Sequence, residues 1–160
     1  GDNASLFLSN TLTIAAWVRL NTVAIQQAIY SDYLKVFQRD DPQASPTEYS
    51  LELSAGGRSV FFYTNNEFVE LAGDISVHRW THLAVTWDGN VSNGLRLYVD
   101  GELNDAQTLI HATQPVSNHN YSIGGQLGLG SGLNGAIDEL LIYDRSLSAA
   151  EVEAFYHATR

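Results

Sequence analysis

His82-Leu-Ala-Val-Thr-Trp87, then Asp88-Gly89 and Ser92-Asn93-Gly94, then Leu95-Arg-Leu-Tyr-Val99 and Asp100-Gly101, is the stretch that decides the fold. Leu83, Val85 and Trp87 fall on every second position, as do Leu95, Leu97 and Val99. His82, Ala84 and Thr86, followed by Arg96 and Tyr98, take the alternate positions. Successive side chains of a strand point to opposite faces. Each run therefore turns one face to a core and the other to solvent or a groove. The Asp-Gly and Asn-Gly pairs tolerate the positive φ that tight hairpin turns demand.

Outward from this stretch the same grammar repeats. Leu6–Leu8, Leu12–Leu20, Ala28–Tyr30, Tyr49–Leu53, Ser59–Tyr63, Phe68–Leu71, Tyr121–Ile123 and Ala136–Tyr143 are short runs rich in β-branched and aromatic residues. Turn signals separate them, among them Ser54-Ala-Gly-Gly57, Thr64-Asn-Asn66 and Gly124-Gly125. Many short strands at such spacing predict an all-β fold, a two-sheet antiparallel β-sandwich of the jelly-roll kind. The tail differs. Ser148-x-x-Glu151 is a capping box, and Val152, Phe155 and Tyr156 form an apolar stripe at helical spacing. One short C-terminal helix is thus expected to close the sandwich. Ser31 to Thr47 reads as a long polar loop, and Gly101 to Asn120 has weak strand character apart from Thr108-Leu-Ile110. With no internal repeat or linker, residues 1–160 are expected to form one domain, cut from a longer protein.

Composition narrows the function classes. The chain carries 18 acidic against 8 basic residues, a net charge of −10, and Lys35 is its sole lysine. Neutralising nucleic-acid phosphates needs a basic stripe that is missing here, so nucleic acid is excluded as a partner. No apolar run approaches the ~20 residues of a membrane span, so no membrane insertion is expected. The absence of cysteine removes disulfides, thiolate zinc sites and thiol nucleophiles. His78, His82, His111, His119 and His157 show no metalloprotease spacing.

The ordered motifs carry a resemblance. Leu12-Thr-Ile-Ala-Ala-Trp17-Val-Arg, Arg79-Trp80-Thr-His82 through Asp88-Gly89, Leu95 through Gly101, Ile123-Gly-Gly125 and Leu133-Asn-Gly135-Ala-Ile-Asp138-Glu139 through Ser148 span the chain. In that order they resemble the laminin-G-like, concanavalin-A-like superfamily of bacterial surface proteins and of accessory modules in carbohydrate-active enzymes. Trp17, Trp80 and Trp87 are then expected as packed anchors, and Asp100 as a turn-former. The resemblance also implies a calcium ion near the joining of the first and last strands, with Asp2, Asn3 and Asp138 as its ligands. Calcium takes roughly six to eight oxygen donors, so backbone carbonyls and water would complete the shell.

A binding surface is expected on the polar loops, where Asp32, Asp40 and Asp41 cluster with Asn65, Asn66 and Glu67. Tyr33 or Tyr63 would offer an aromatic platform to a sugar ring. Laminarinase-type relatives carry a Glu-x-Asp-x-x-Glu strand, and none is present here. Glu48 and Glu52 share a strand face without that context. The chain is therefore expected not to be an enzyme. The expected function is calcium-assisted binding of a glycan or cell-surface polysaccharide, by a module, monomeric in isolation, of a secreted or cell-surface bacterial protein. An adhesion module of the laminin or neurexin kind, docking another protein, is the alternative, and a ligand-free spacer the third.

Overall fold

A computed structural model describes residues 10–21, 33–41, 44–54, 59–64, 67–109, 120–125 and 132–160. Their elements run β1 (Thr11–Leu20), β2 (Tyr33–Asp41), β3 (Ala44–Ser54), β4 (Ser59–Thr64), β5 (Glu67–Ala72) and β6 (Trp80–Asp88). β7 (Leu95–Val99), β8 (Glu102–Gln107), β9 (Asn120–Ile123), β10 (Gly135–Tyr143) and helix α1 (Ala149–Thr159) complete them. One five-stranded sheet has the order β10-β1-β6-β7-β8 and the other β5-β4-β3-β2-β9, and every strand pair within them is antiparallel. This is the expected two-sheet sandwich.

The period of two sorts the side chains. Leu12, Ile14, Val18 and Leu20 of β1 and Leu83, Val85 and Trp87 of β6 are fully buried in the core between the sheets. Leu51, Leu53, Val60, Phe62 and Leu71 meet them from the second sheet. Trp87 and Phe62 join the layers with ring centroids 5.9 Å apart, and the indole Nε1 of Trp87 donates to the Leu109 carbonyl at 2.8 Å. Each such apolar side chain contributes roughly 1.5–3 kcal/mol by leaving water.

The opposite face of the first sheet carries a second, smaller core. Ala15 and Ala84 are partners in the β1–β6 register, and their small side chains form a shallow seat. With Tyr98 they bury Leu147 and Val152, while Tyr143 and Phe155 pack at the margin. Helix α1 lies on this seat. Ser148 is its N-cap, with the full capping box to Glu151. The chain is pinned ahead of the helix by Thr13, whose hydroxyl donates to the Arg145 carbonyl at 2.8 Å and accepts the Leu147 N–H at 2.9 Å.

Two expectations need correction. The segment Ser31 to Thr47 was expected as a loop, yet Tyr33–Asp41 and Ala44 onward are the strands β2 and β3. Register shifts between Lys35 and Phe37 and between Arg39 and Asp41 break the alternation. A bulge inserts residues that hide a period of two. Likewise Glu102–Gln107, polar throughout its length apart from Leu103 and Ala106, is the edge strand β8. Its register is set by the turn at Asp100 (φ 51°) and Gly101 (φ 87°), which aligns Val99 with Glu102. Edge strands tolerate polar sequence because one side of their ladder stays open. The expected strands Leu6–Leu8 and Ala28–Tyr30 lie outside the described residues.

Candidate functional site

Trp17, Trp80 and His82 have the opposite parity to the core positions of their strands, so they emerge on the outer face of the first sheet. Beyond the C-terminal turn of α1 this face opens into a cleft of about 450 Å³. Trp17 and Tyr156 line it from β1 and the helix, and Trp80 lines it from the start of β6. Trp80 is 40% exposed, which corrects the expectation that all three tryptophans are packed anchors. Trp17 keeps a structural tie as well, its Nε1 donating to Thr159 Oγ1 at 2.9 Å. Its ring sits 5.6 Å from that of Tyr156.

The polar lining comes from other elements. Asp138 and Glu139 enter from β10, Asp100 from the β7–β8 turn, and Arg79 and Arg160 face them. Asp138 pairs with Trp17, and between that pair and Ala15–Leu141 strand β10 holds one residue more than β1. The bulge places Glu139 in the left-handed region at φ 48°. Bulges re-aim side chains beside functional sites, and such backbone strain clusters there. Asp138 Oδ1 accepts the Glu139 N–H at 2.9 Å. Asp100 is more than a turn-former: its carboxylate accepts the His82 N–H at 2.9 Å and pairs with Arg79.

His82 supports the cleft from behind. It is fully buried, and neither ring nitrogen has a hydrogen-bond partner. The rings of Trp17, Phe155 and Tyr156 stand 5.4, 5.6 and 5.8 Å from it. Burial in this aromatic cage lowers its pKa from 6.5 to about 4, against the opposing pull of Asp100. At the far end of the helix, the Arg145 hydrogen bond and those from Ser148 hold the exposed Glu151 carboxyl down at about 2.

A second cleft of about 510 Å³ lies across Tyr156 from the first. It runs between the β7–β8 hairpin and the helix, past Gly101, Leu103 and Asn104 on one side and Glu153 and His157 on the other. Asp100, Tyr156 and Arg160 line both clefts. A Cβ on Gly101 would stand 2.9 Å from Tyr156 Cδ1, so glycine there lets the hairpin close on the ring.

The expected site residues divide. Asp138 lies in the first cleft, while Asp2, Asn3, Asp32, Asn65 and Asn66 lie outside the described residues. Tyr33 and Asp41 end opposite tips of β2, roughly 25 Å apart along an extended chain. Tyr33 and the Asp40–Asp41 pair are therefore not in one loop, as expected, but on one strand. Tyr63, near the end of β4, and Glu67, at the start of β5, share the sheet end of Asp40 and Asp41. Glu52 is buried, its Oε1 accepting from Lys35 Nζ and from Ser50 Oγ at 2.6 Å. Among the described residues no group of three His, Asp or Glu side chains is arranged to hold a metal. Of the three expected calcium ligands, Asp138 alone lies among the described residues.

The cleft residues Arg79, Trp80 and Asp100 were legible only as fold signatures. The signal that marks Trp80 is its parity: counted back from Leu83, Val85 and Trp87, it falls on the outer face with Trp17.

Fold and cleft together define an all-β jelly-roll domain with an aromatic, charged recess on the outer face of one sheet. The chain belongs to the laminin G type family of the concanavalin A-like lectin/glucanases superfamily, which it matches over residues 2–153. It is 32% identical over 108 residues to adhesion G-protein coupled receptor D1 of Bos taurus, covering 66% of this chain. It spans only 12% of that receptor's length. A putative carbohydrate binding protein of Bacteroides ovatus superposes with a TM-score of 0.72 at 14% identity, over 96% of this chain and 42% of that one. Domain 4 of the extracellular arabinanase AbnA of Geobacillus stearothermophilus, in complex with arabinotriose, gives 0.65 at 21% identity, over 97% and 69% of the two chains.

Proposed function

We propose that this domain is a carbohydrate-binding module of a larger secreted or cell-surface bacterial protein, with the cleft beside α1 as its glycan site. The observation that carries the reading is the half-open Trp80 ring in a recess with Trp17, Tyr156, Arg79, Asp138 and Glu139. A pyranose or furanose ring offers an apolar face and a rim of hydroxyls. Exposed aromatic faces take the former, and carboxylates and guanidinium groups exchange hydrogen bonds with the latter. Two structures of the same fold, one of a putative carbohydrate binding protein and one in complex with arabinotriose, support the reading. The hairpin ends carrying Asp40, Asp41, Tyr63 and Glu67 form a second candidate surface on the other sheet.

The role proposed is binding rather than hydrolysis: the buried Glu52 is committed to Lys35 and Ser50. Calcium, held by Asp138 with Asp2 and Asn3, would brace the β1–β10 edge beside the cleft; when bound it supplies a divalent charge for oxygen donors. The test is a glycan array of neutral glucan, xylan, arabinan and chitin oligosaccharides, probed with wild type and Trp80→Ala, with calcium and with chelator. Retention that Trp80→Ala abolishes supports the reading, and no retention on any glycan in either condition refutes it. The identity to an adhesion receptor favours a second reading, a protein-docking adhesion module. Capture of a purified protein partner equally well after deglycosylation would support it.

A further inference from the structure

We propose that the two clefts flanking Tyr156 act as one groove, and that its ligand is a linear, uncharged glycan long enough to cross the ring. The inference rests on the carbohydrate reading and deepens it. Asp100, Tyr156 and Arg160 belong to both clefts, so a chain leaving Trp80 over the Tyr156 ring would enter the second cleft along walls the two share. Each recess alone has the size of a small-molecule site, roughly 300–1,000 Å³. Together they are larger than one sugar ring needs. The second recess presents its own apolar surface, Leu103, which stands 55% exposed on an otherwise polar edge strand. Glu153 and His157 face it from the helix, with polar atoms for hydroxyl groups.

Charge selects the class of glycan. Asp100, Glu102, Asp138, Glu139 and Glu153 line the groove against Arg79 and Arg160, and Arg79 is already paired with Asp100. The whole chain carries −10. Uronate or sulfated units along this path would meet like charge, which costs affinity and slows encounter. Hydroxyl-bearing neutral units meet no such penalty.

The array of neutral oligosaccharides, printed as ladders from mono- to hexasaccharide beside oligogalacturonates, tests this. On whichever neutral ladder is retained, affinity is expected to rise about tenfold or more between disaccharide and hexasaccharide. Leu103→Ser and Glu153→Ala, both at exposed positions, are expected to erase that rise and leave disaccharide binding unchanged. Equal affinity for short and long chains would overturn the single groove while leaving the carbohydrate reading standing. Tighter binding of oligogalacturonates would overturn the uncharged class. No retention at all would refute the carbohydrate reading and this inference with it.

Discussion

Acidification should weaken this domain through one side chain. The pKa of His82 falls from 6.5 to about 4 on folding because burial beneath Phe155 and Tyr156 disfavours the imidazolium. Above pH 6.5 the imidazole is neutral in both states and the fold has its full stability. Between 6.5 and about 4 the unfolded chain takes up a proton that the native one refuses, so stability falls with pH; below about 4 both are charged and the loss is complete. At about 1.4 kcal/mol per pH unit, and allowing for some screening, the loss amounts to roughly 2–3 kcal/mol. Other charged or titratable groups surround the cage: Asp100 and Arg79 at the turn, His157 beside Tyr156, and Asp138 and Glu139 in the cleft. The control is therefore His82→Phe, which keeps an aromatic ring and removes the proton. Urea unfolding followed by tryptophan fluorescence at pH 7.5, 6, 5 and 4.5 gives the stability difference between the two proteins. As pH falls, wild type should lose that much more stability than His82→Phe does. Parallel pH profiles for wild type and His82→Phe would refute the reasoning.

Removing the N-cap with Ser148→Ala should cost about 1 kcal/mol, because the Glu151 N–H loses its acceptor; thermal unfolding checks it, and an unchanged Tm would count against the helix contributing to global stability. Gly94→Ala should destabilise by roughly 2 kcal/mol or more, since a Cβ there would collide with the Asp88 carbonyl inside the β6–β7 hairpin; a stability within error of wild type would show that the turn can shift. Trp80→Ala should cut glycan affinity at least about tenfold while changing stability by about 1 kcal/mol or less, a combination read by calorimetric titration alongside unfolding. Calcium at about a hundredfold excess over its Kd should raise Tm by roughly 5–10 °C. Asp138→Asn should abolish that rise, and identical melting with calcium and with chelator would remove the metal from the account.

The sandwich was legible because its signal is local. Leu83, Val85 and Trp87 declare one face within six residues, and Asp100-Gly101 declares the turn that follows. β2 was not legible, since the register shifts at Lys35 and Arg39 put Val36 and Phe37 side by side in the core. Edge strand β8 was not, because it draws its hydrogen bonds from β7 and asks little of its own side chains. Asp138 could be named from the closing motif. The rest of its cleft could not, because Trp17 and Thr159, which hold one wall, are 142 residues apart. No window on the sequence reports a pair so distant.

The location of the cleft follows from the smaller core rather than from the sandwich. Ala15 and Ala84 are too small to cover their own sheet, so α1 docks there through Val152, with Leu147 just ahead of the helix. Two positions along each strand, the seat gives way to Trp17 and His82, and there the helix packs through the rings of Phe155 and Tyr156. Tyr156 is held over them by ring contacts with Trp17 and His82 and by the turn at Gly101. The recess opens where small residues end and large ones begin, with Trp80 beyond them at the start of β6. The same His82 that makes the domain sensitive to acid thus packs against Trp17 and Tyr156, two walls of its candidate binding site. Stability of the helix and shape of the cleft are properties of one set of contacts.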